Sequence, residues 1–170
     1  MDKEILFSEK QKFSQWWLWL ILIAVNGLFL FGIFKQVIGG QQFGDKPMSN
    51  LGLLLTEALI LTLTILFINF RLETQIKKDG IYVRFFPFHF SFKYYCWDKI
   101  SKSFVRQYNP ISEYGGWGLR LERLGSGKAF NVSGDKGLQL EFIDKKKLLI
   151  GTHKAEELTK TLNKIGQFKR

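Results

Sequence analysis

Two long, predominantly apolar stretches constrain this chain most. Residues 16–34 contain no charge, and residues 51–70 contain one, Glu57. At about 1.5 Å per helical residue, the first stretch spans roughly 28 Å, the thickness of the hydrocarbon core of a bilayer. A buried core helix is one alternative for each stretch, but the rest of the chain is too short to cover two of them. A signal peptide is an alternative for the first stretch, but no small-residue cleavage site follows it cleanly. The sequence therefore predicts a transmembrane helical hairpin.

The charge around the two stretches predicts how the hairpin is oriented. Most positive residues near the spans lie on the side of the chain termini: Lys3, Lys10, Lys12, Arg71, Lys77, Lys78 and Arg84. The connection, residues 35–50, carries only Lys35 and Lys46. Positively charged flanks remain in the cytoplasm. We therefore expect a multi-pass protein of the cell (inner) membrane with both termini cytoplasmic. Residues 1–70 would form a flank and the hairpin, and residues 71–170 a cytoplasmic domain.

Asn26 and Glu57 are the polar residues of the spans that need an explanation. Counted from the outer ends of the spans, at residues 34 and 51, both lie at a similar depth. They would therefore meet across an antiparallel hairpin, where a hydrogen bond can hold the helices together or contribute to an oligomer contact. A proton or ion relay is the alternative, although a relay needs several ionisable groups and the spans supply one.

After residue 71 the hydrophobic pattern changes to that of β-strands. Two runs, 72–77 and 81–86, flank an Asp-Gly turn, and aromatic residues then occupy alternate positions as far as Tyr94. Pro87 indicates a bend near 87–91 between two strands. Further strands are predicted at 103–108, 117–123, 128–132, 138–142 and 147–151, separated by turns such as Gly125-Ser126-Gly127. Short strands at this spacing indicate an antiparallel sandwich or a partly open barrel.

The chain ends in a predicted amphipathic helix at about 154–165. Leu158, Leu162 and Ile165 recur at helical spacing, and Gly166 follows them as a stop signal. The fold class is therefore an α+β membrane protein. Its transmembrane hairpin precedes an antiparallel β domain that one helix closes, and this is the plan of a pleckstrin-homology (PH) domain.

Five short motifs resemble those of a family of small bacterial membrane proteins with two spans and a bacterial PH-like domain. They are Trp97-Asp98-Lys99-Ile100, Tyr108-Asn109-Pro110, the glycine- and aromatic-rich run 113–118, the run 131–140 and Ile150-Gly151-Thr152. The resemblance covers residues 72–165, and the spans only in general character. It implies the fold and the topology, and it implies no activity.

Sequence motifs for catalysis or metal binding are missing. The chain has no phosphate-binding GxxxxGK[ST] loop, no HExxH and no CxxC, and it contains one cysteine and two distant histidines. His89 lies in an aromatic strand and His153 at a helix start, so neither is in a context that favours a serine nucleophile. We therefore expect a non-enzymatic protein with no metal site and no cofactor.

The segment 108–118, YNPISEYGGWG, is the best candidate for a binding surface. It surrounds one acid with aromatic residues, a proline and three glycines. In one interpretation Tyr114 and Trp117 fold back to cap the β domain. In the other the segment contacts a partner or a lipid headgroup, since Tyr and Trp are favoured binding anchors. The candidate surface residues are Asn109, Glu113, Tyr114, Gly116 and Trp117.

The formal charge of +10 lies entirely in residues 71–170. We expect Arg71, Lys77 and Lys78 to face an anionic leaflet, where each contributes attraction. An ordinary solvated surface is the alternative, and nucleic acid is not expected as a partner.

The predicted function is a membrane-anchored PH-like module that docks on the inner leaflet or on a membrane protein. The alternative is a subunit of a transport or signalling complex with Asn26 and Glu57 at the span interface. The partners would be the lipid bilayer and a membrane protein or a second copy of the chain.

Overall fold

The protein, described by a computed structural model over residues 4–121 and 126–170, divides into two compact units. The helical unit is Ser14–Asn69. The β unit consists of the N-terminal residues up to Phe13 together with Phe70–Arg170. The helical unit is thus an insertion within the β unit. The sequence-based division assigned residues 1–15 to a flank of the hairpin, and the structure corrects that assignment.

Two apolar helices make up most of the helical unit. They are α1 (Trp16–Ile33), which continues through a π-helical turn (Phe34–Ile38), and α2 (Asn50–Asn69). Both are long and apolar enough to cross a membrane, and only 11% of the most apolar stretch of each is buried. The predicted positions of the two helices are confirmed, but the first one is longer than predicted.

The two helices pack along a seam with alternating spacings of four and three residues. On α1 the buried or half-buried positions include Leu18, Leu22, Val25, Phe29, Gly32 and Gln36. On α2 they include Leu53, Glu57, Ile60, Thr64 and Phe67. This is the heptad spacing that keeps one narrow face of each helix against its partner. The remaining faces are apolar and exposed.

A four-stranded antiparallel sheet has the order β1-β2-β3-β4. Its strands are β1 (Ile5–Lys12), β2 (Arg71–Lys77), β3 (Gly80–Phe86) and β4 (Lys93–Cys96). Alternate residues of β2 are buried, as the two-residue period of a strand requires. The predicted Asp-Gly turn joins β2 to β3, and the predicted bend separates β3 from β4. A 3₁₀ turn, Trp97–Lys99, then leads to the second sheet.

Strand β1 was not predicted from the sequence. It pairs with β2 along its whole length, from Ile5 opposite Lys77 to Lys12 opposite Arg71. Its inward residues are Phe7, Glu9 and Gln11, so two of its three buried positions are polar. Hydrophobic alternation is the signal by which a half-buried strand is found in a sequence, and these polar residues remove it.

The second sheet has five strands in the order β5-β8-β9-β7-β6. They are β5 (Ile100–Gln107), β6 (Gly118–Arg120), β7 (Lys128–Asn131), β8 (Lys136–Phe142) and β9 (Lys147–Gly151). The expectation of a wholly antiparallel domain is wrong at one pair, because β7 and β9 are parallel. The β8–β9 hairpin returns β9 into the space beside β7, where it runs in the same direction. Parts of the predicted strand 117–123 and of the Gly125-Ser126-Gly127 turn lie outside the described residues.

Both sheets and the C-terminal helix share one core. The helices of the β unit are α3 (Pro110–Tyr114) and α4 (Ala155–Lys164). Phe85 from the first sheet, Leu140 from the second and Leu162 from α4 are all fully buried in it. Leu158 is buried beside Leu162, and Ile165 packs against the same cluster. The prediction of a C-terminal helix with one apolar stripe is therefore confirmed.

The insertion of the helical unit between two paired strands yields a direct test of the fold. Because Lys12 and Arg71 are opposite one another, residues 14–69 can be replaced by a two-residue Asn-Gly turn that joins Phe13 to Phe70. We expect this shortened chain to be soluble and to unfold cooperatively in urea. A fragment of residues 72–170 lacks β1 and should show no cooperative transition. Equal behaviour of the two proteins would mean that β1 is dispensable.

Candidate functional site

Asn26 bonds within the helical hairpin, but its partner is not Glu57. Its Nδ2 donates to the carbonyl oxygen of Leu22 at 2.6 Å and to Oγ1 of Thr64 at 3.0 Å. The second bond crosses from α1 to α2 and is the kind of polar contact that holds apolar helices together. The structural role expected of Asn26 is therefore present, with a different partner.

Glu57 is buried, with 3% of its surface exposed. Neither of its carboxylate oxygens has a hydrogen-bond partner among the described residues. Gln36 bonds to Asn50, and Asn26 bonds to Thr64, so Glu57 lies seven residues from each of these two levels on α2. Since a helix rises about 1.5 Å per residue, Glu57 lies roughly 10 Å from each level. The predicted Asn26–Glu57 pair is therefore wrong, because its depth was counted from residue 34 and α1 continues to Ile38.

The connection between the helices is ordered against their ends. Gln36 donates through Nε2 to the carbonyl oxygen of Met48 and to Oδ1 of Asn50, both at 2.8 Å. Its Oε1 accepts from the backbone N–H of Phe43. A Cβ at Gly32 would lie 2.7 Å from the ring of Phe43, so only glycine allows this ring to pack there. The hairpin end is consequently closed by its own connection.

These contacts predict which helix substitutions matter. Thr64→Val removes the acceptor of the cross-helix bond and should destabilise the hairpin by about 1 kcal/mol. Thr62→Val is the matched control, since Thr62 bonds only within its own helix and is exposed. Glu57→Met should leave stability unchanged or raise it, because an unpartnered buried carboxyl is replaced by an apolar side chain. The measurement is unfolding of the full chain during titration of a mild detergent with SDS. A loss in Glu57→Met as large as that in Thr64→Val would show that the carboxyl has a partner.

The segment 108–118 folds back on the second sheet. Asn109 caps α3, since its side chain accepts from the backbone N–H groups of Ile111 and Ser112. Gly115 ends the helix in the left-handed conformation with φ of 73°. Tyr108 and Tyr114 are buried in a second apolar cluster with Ala129 and Leu149. The two tyrosines therefore cover the face of the sheet that the main core leaves open.

An ion pair holds this segment in place. Arg106 donates to Glu113 at 2.7 Å, and Glu113 also accepts from the backbone N–H of Asn109 at 2.7 Å. The bond from Arg106 lowers the pKa of Glu113, and the Asn109 N–H acts in the same direction. Burial raises the pKa of Tyr108 to about 12, so its phenol stays protonated and donates or accepts only as a neutral group.

Little of the predicted contact surface remains free in the described residues. Tyr114 is buried, and Gly116 lies against the guanidinium of Arg120. The indole N–H of Trp117 donates to the carbonyl oxygen of Gly134 at 3.0 Å. A shallow cavity of about 520 Å³ lies between Asn109, Glu113 and Trp117. This geometry favours the capping interpretation over the binding interpretation.

The role of Glu113 can be tested through pH. Its pKa is lowered in the folded state, so the ion pair contributes stability above the ordinary Glu value of about 4.3 and loses it as the pH falls. Glu113→Gln should cost about 1 kcal/mol at neutral pH, and the difference from the native chain should shrink below about pH 4. The measurement is urea unfolding followed by tryptophan fluorescence. Glu4→Gln is the control, because the Glu4–Lys78 pair is exposed and worth little. A cost that does not change with pH would contradict the ion-pair role.

The three residues expected to face a leaflet do not form one surface. Arg71 pairs with Glu73 at 3.1 Å and lies over the ring of Phe86. Lys77, at the other end of β2, lies over the ring of Tyr82, and Lys78 pairs with Glu4. A seven-residue strand is about 20 Å long, so Arg71 and Lys77 are far apart. Their contact with lipid stays a prediction.

A groove that was not predicted lies between β4 and the turn that joins β8 to β9. Its volume is about 660 Å³, within the range of ligand-binding clefts. The floor includes Tyr95 and Phe142, whose ring centroids are 5.5 Å apart. Four lysines line the groove: Lys99, Lys128, Lys146 and Lys147. We call this feature the lysine groove.

One of these lysines is neutralised and three are not. Lys146 pairs with Asp144 at 2.6 Å, and this bond lowers the pKa of Asp144. Lys99, Lys128 and Lys147 are exposed and have no ion pair within the part of the chain that the structure describes. The run 145–147 in a turn is the only local sequence signal of the groove, since the other residues come from separate strands.

Groups suited to catalysis are sparse. No cluster of three or more His, Cys, Asp or Glu side chains that could hold a metal ion occurs in residues 4–121 and 126–170. Oγ of Ser133 lies 2.7 Å from Nε2 of His153; Ser133 is half-buried and His153 is exposed. Within the same residues no carboxylate bonds to the other ring nitrogen of His153, which a catalytic triad would require.

No family model, curated protein or solved structure matches this chain. The resemblance to bacterial two-span proteins with a PH-like domain therefore stays a prediction. The structure describes an α+β protein with two apolar helices, two sheets and a C-terminal helix.

Proposed function

We propose that this protein is a non-enzymatic, membrane-anchored β module that docks on the inner leaflet or on a membrane protein. The observation that carries this proposal is the insertion of two exposed apolar helices between paired strands of the β unit. An anchor attached in this way enters and leaves the β unit at neighbouring strands. It would hold the module at the membrane surface by two covalent links.

The proposal includes the orientation. Strand β1 and the C-terminal helix α4 belong to the same unit, so the segments before and after the helical hairpin lie on one side of the membrane. The positive residues that flank the spans on this side, such as Lys10, Lys12 and Arg71, favour the cytoplasm. Both termini would then be cytoplasmic, and the connection around Gly44 would be external.

A PH-like architecture is part of the proposal. Two packed sheets closed by an amphipathic C-terminal helix support it. The parallel β7–β9 pair departs from the simple antiparallel meander of that plan.

The second candidate function is a subunit of a membrane transport or signalling complex. The carboxyl of Glu57 favours it, because this buried acid has no donor among the described residues, and an ionisable group inside a span is a candidate functional group. The amide nitrogen of Asn26 would not contribute to such an interface, since it already donates two hydrogen bonds inside the hairpin.

The anchoring proposal predicts the behaviour of the protein in cells and membranes. The full chain should remain in the membrane pellet after alkaline carbonate extraction, whereas the chain with residues 14–69 replaced by a turn should be released. Reporter fusions at the C-terminus should behave as cytoplasmic, and a reporter inserted at Gly44 as external. Release of the full chain, or the reverse reporter pattern, would contradict the proposal.

A further inference from the structure

The lysine groove carries positive charge that its own surroundings do not neutralise. Some exposed lysines of the β unit pair with acids, as in Lys102–Glu141 and Lys154–Glu157. Among the described residues Asp144 is the one acid that lines the groove, and it pairs with Lys146. An anionic ligand would therefore replace missing counter-charges for Lys99, Lys128 and Lys147.

Apolar surface in the groove indicates more than a site for a small ion. The rings of Tyr95 and Phe142 pack against each other at an interplanar angle of 40° and remain half-buried, and Leu148, which also lines the groove, is buried. Ile143, at the rim, is 69% exposed. A ligand that fits this groove must present apolar groups together with its negative charge.

The groove is also bordered by the edge of a sheet. In the described residues β4 pairs with β3 alone, and three of its four residues, Tyr94, Tyr95 and Cys96, line the groove. An edge strand presents unpaired backbone N–H and C=O groups, to which an extended segment can add as a further strand. Alternate side chains of such a segment would face the groove.

The free edge of β4 favours a protein over a lipid, because a polypeptide backbone can pair with an edge strand and a lipid cannot. Cys96 and Lys77 both pair with Gly80, at the end of the sheet opposite Arg71. The groove therefore borders the Lys77 end of β2, about 20 Å along the strand from Arg71.

We propose that the lysine groove binds an extended acidic segment of a partner protein, which adds to the free edge of β4. Aspartate or glutamate side chains would lie beside Lys99, Lys128 and Lys147, and alternate apolar side chains would lie on Tyr95 and Phe142. This proposal specifies the ligand of the docking function. Its test uses detergent-solubilised protein, so it can fail while membrane anchoring holds, and the reverse is also true.

The test measures the fluorescence anisotropy of a labelled short peptide in which Asp alternates with Phe or Val, mixed with the full chain in neutral detergent. Lys128→Gln with Lys147→Gln should weaken binding about tenfold. The matched control is Lys160→Gln with Lys164→Gln, which removes the same charge from exposed positions of α4 and should leave binding unchanged. Equal weakening in both double variants would mean unspecific charge attraction and would overturn the proposal.

Two further probes separate the modes of binding. The same peptide with alternate backbone amides N-methylated cannot add as a strand and should lose most of its affinity. Unchanged affinity would overturn the strand addition.

A short-chain anionic phospholipid, kept below its micelle concentration, should not displace the peptide. Displacement that depends on Lys128 and Lys147 would make the groove a lipid site and would overturn the choice of a protein ligand. The unfolding midpoint of each variant is measured to check that it is folded. We expect little change, because the substituted residues Lys128, Lys147, Lys160 and Lys164 are all exposed.

Discussion

The pairing of β1 with β2 is the interaction on which the whole chain depends, because it joins two segments separated by the helical unit. Closing so long a loop by strand pairing alone would cost conformational entropy. An antiparallel helix pair reduces this cost, since it brings the two ends of the insertion to within about 10 Å. Neighbouring strands are about 4.8 Å apart, so a few residues at each end complete the connection. The antiparallel helix pair and the pairing of β1 with β2 are therefore geometrically compatible.

Buried polar groups of β1 extend this dependence to the second sheet. The carboxylate of Glu9 accepts from Oγ1 of Thr152 at 2.5 Å and from the backbone N–H of His153 at 2.8 Å. Gln11 donates to the carbonyl oxygen of Gly151 at 2.7 Å. These bonds fix β1 to the end of β9 and to the start of the C-terminal helix. The buried face of β1 is polar because its side chains form specific hydrogen bonds instead of only filling the core. For this reason β1 could not be predicted from hydrophobic alternation.

What could be predicted from the sequence was local. The apolar helices follow from length and lack of charge, and the C-terminal helix follows from the stripe of Leu158 and Leu162. The parallel β7–β9 pair could not be predicted, because strand order depends on which hairpin inserts where and no periodicity records it. The polar contact of the spans was half predicted: Asn26 does bond across the hairpin, but one additional helical turn changes the register and replaces Glu57 by Thr64.

The lysine groove could not be predicted from the basic composition of the chain. A count of +10 does not separate lysines that have acids beside them from lysines that have none. Arg71 and Lys78, which were expected to face an anionic leaflet, have acidic partners in the fold. Lys99, Lys128 and Lys147 come from three different segments, and the sheet topology brings them around one aromatic floor. A solvated lysine gains little from an exposed acid, but several unpaired lysines around apolar surface favour one ligand that satisfies both features at once. Whether a lysine is available to a ligand therefore depends on whether it has an acidic partner, and only the folded structure shows this.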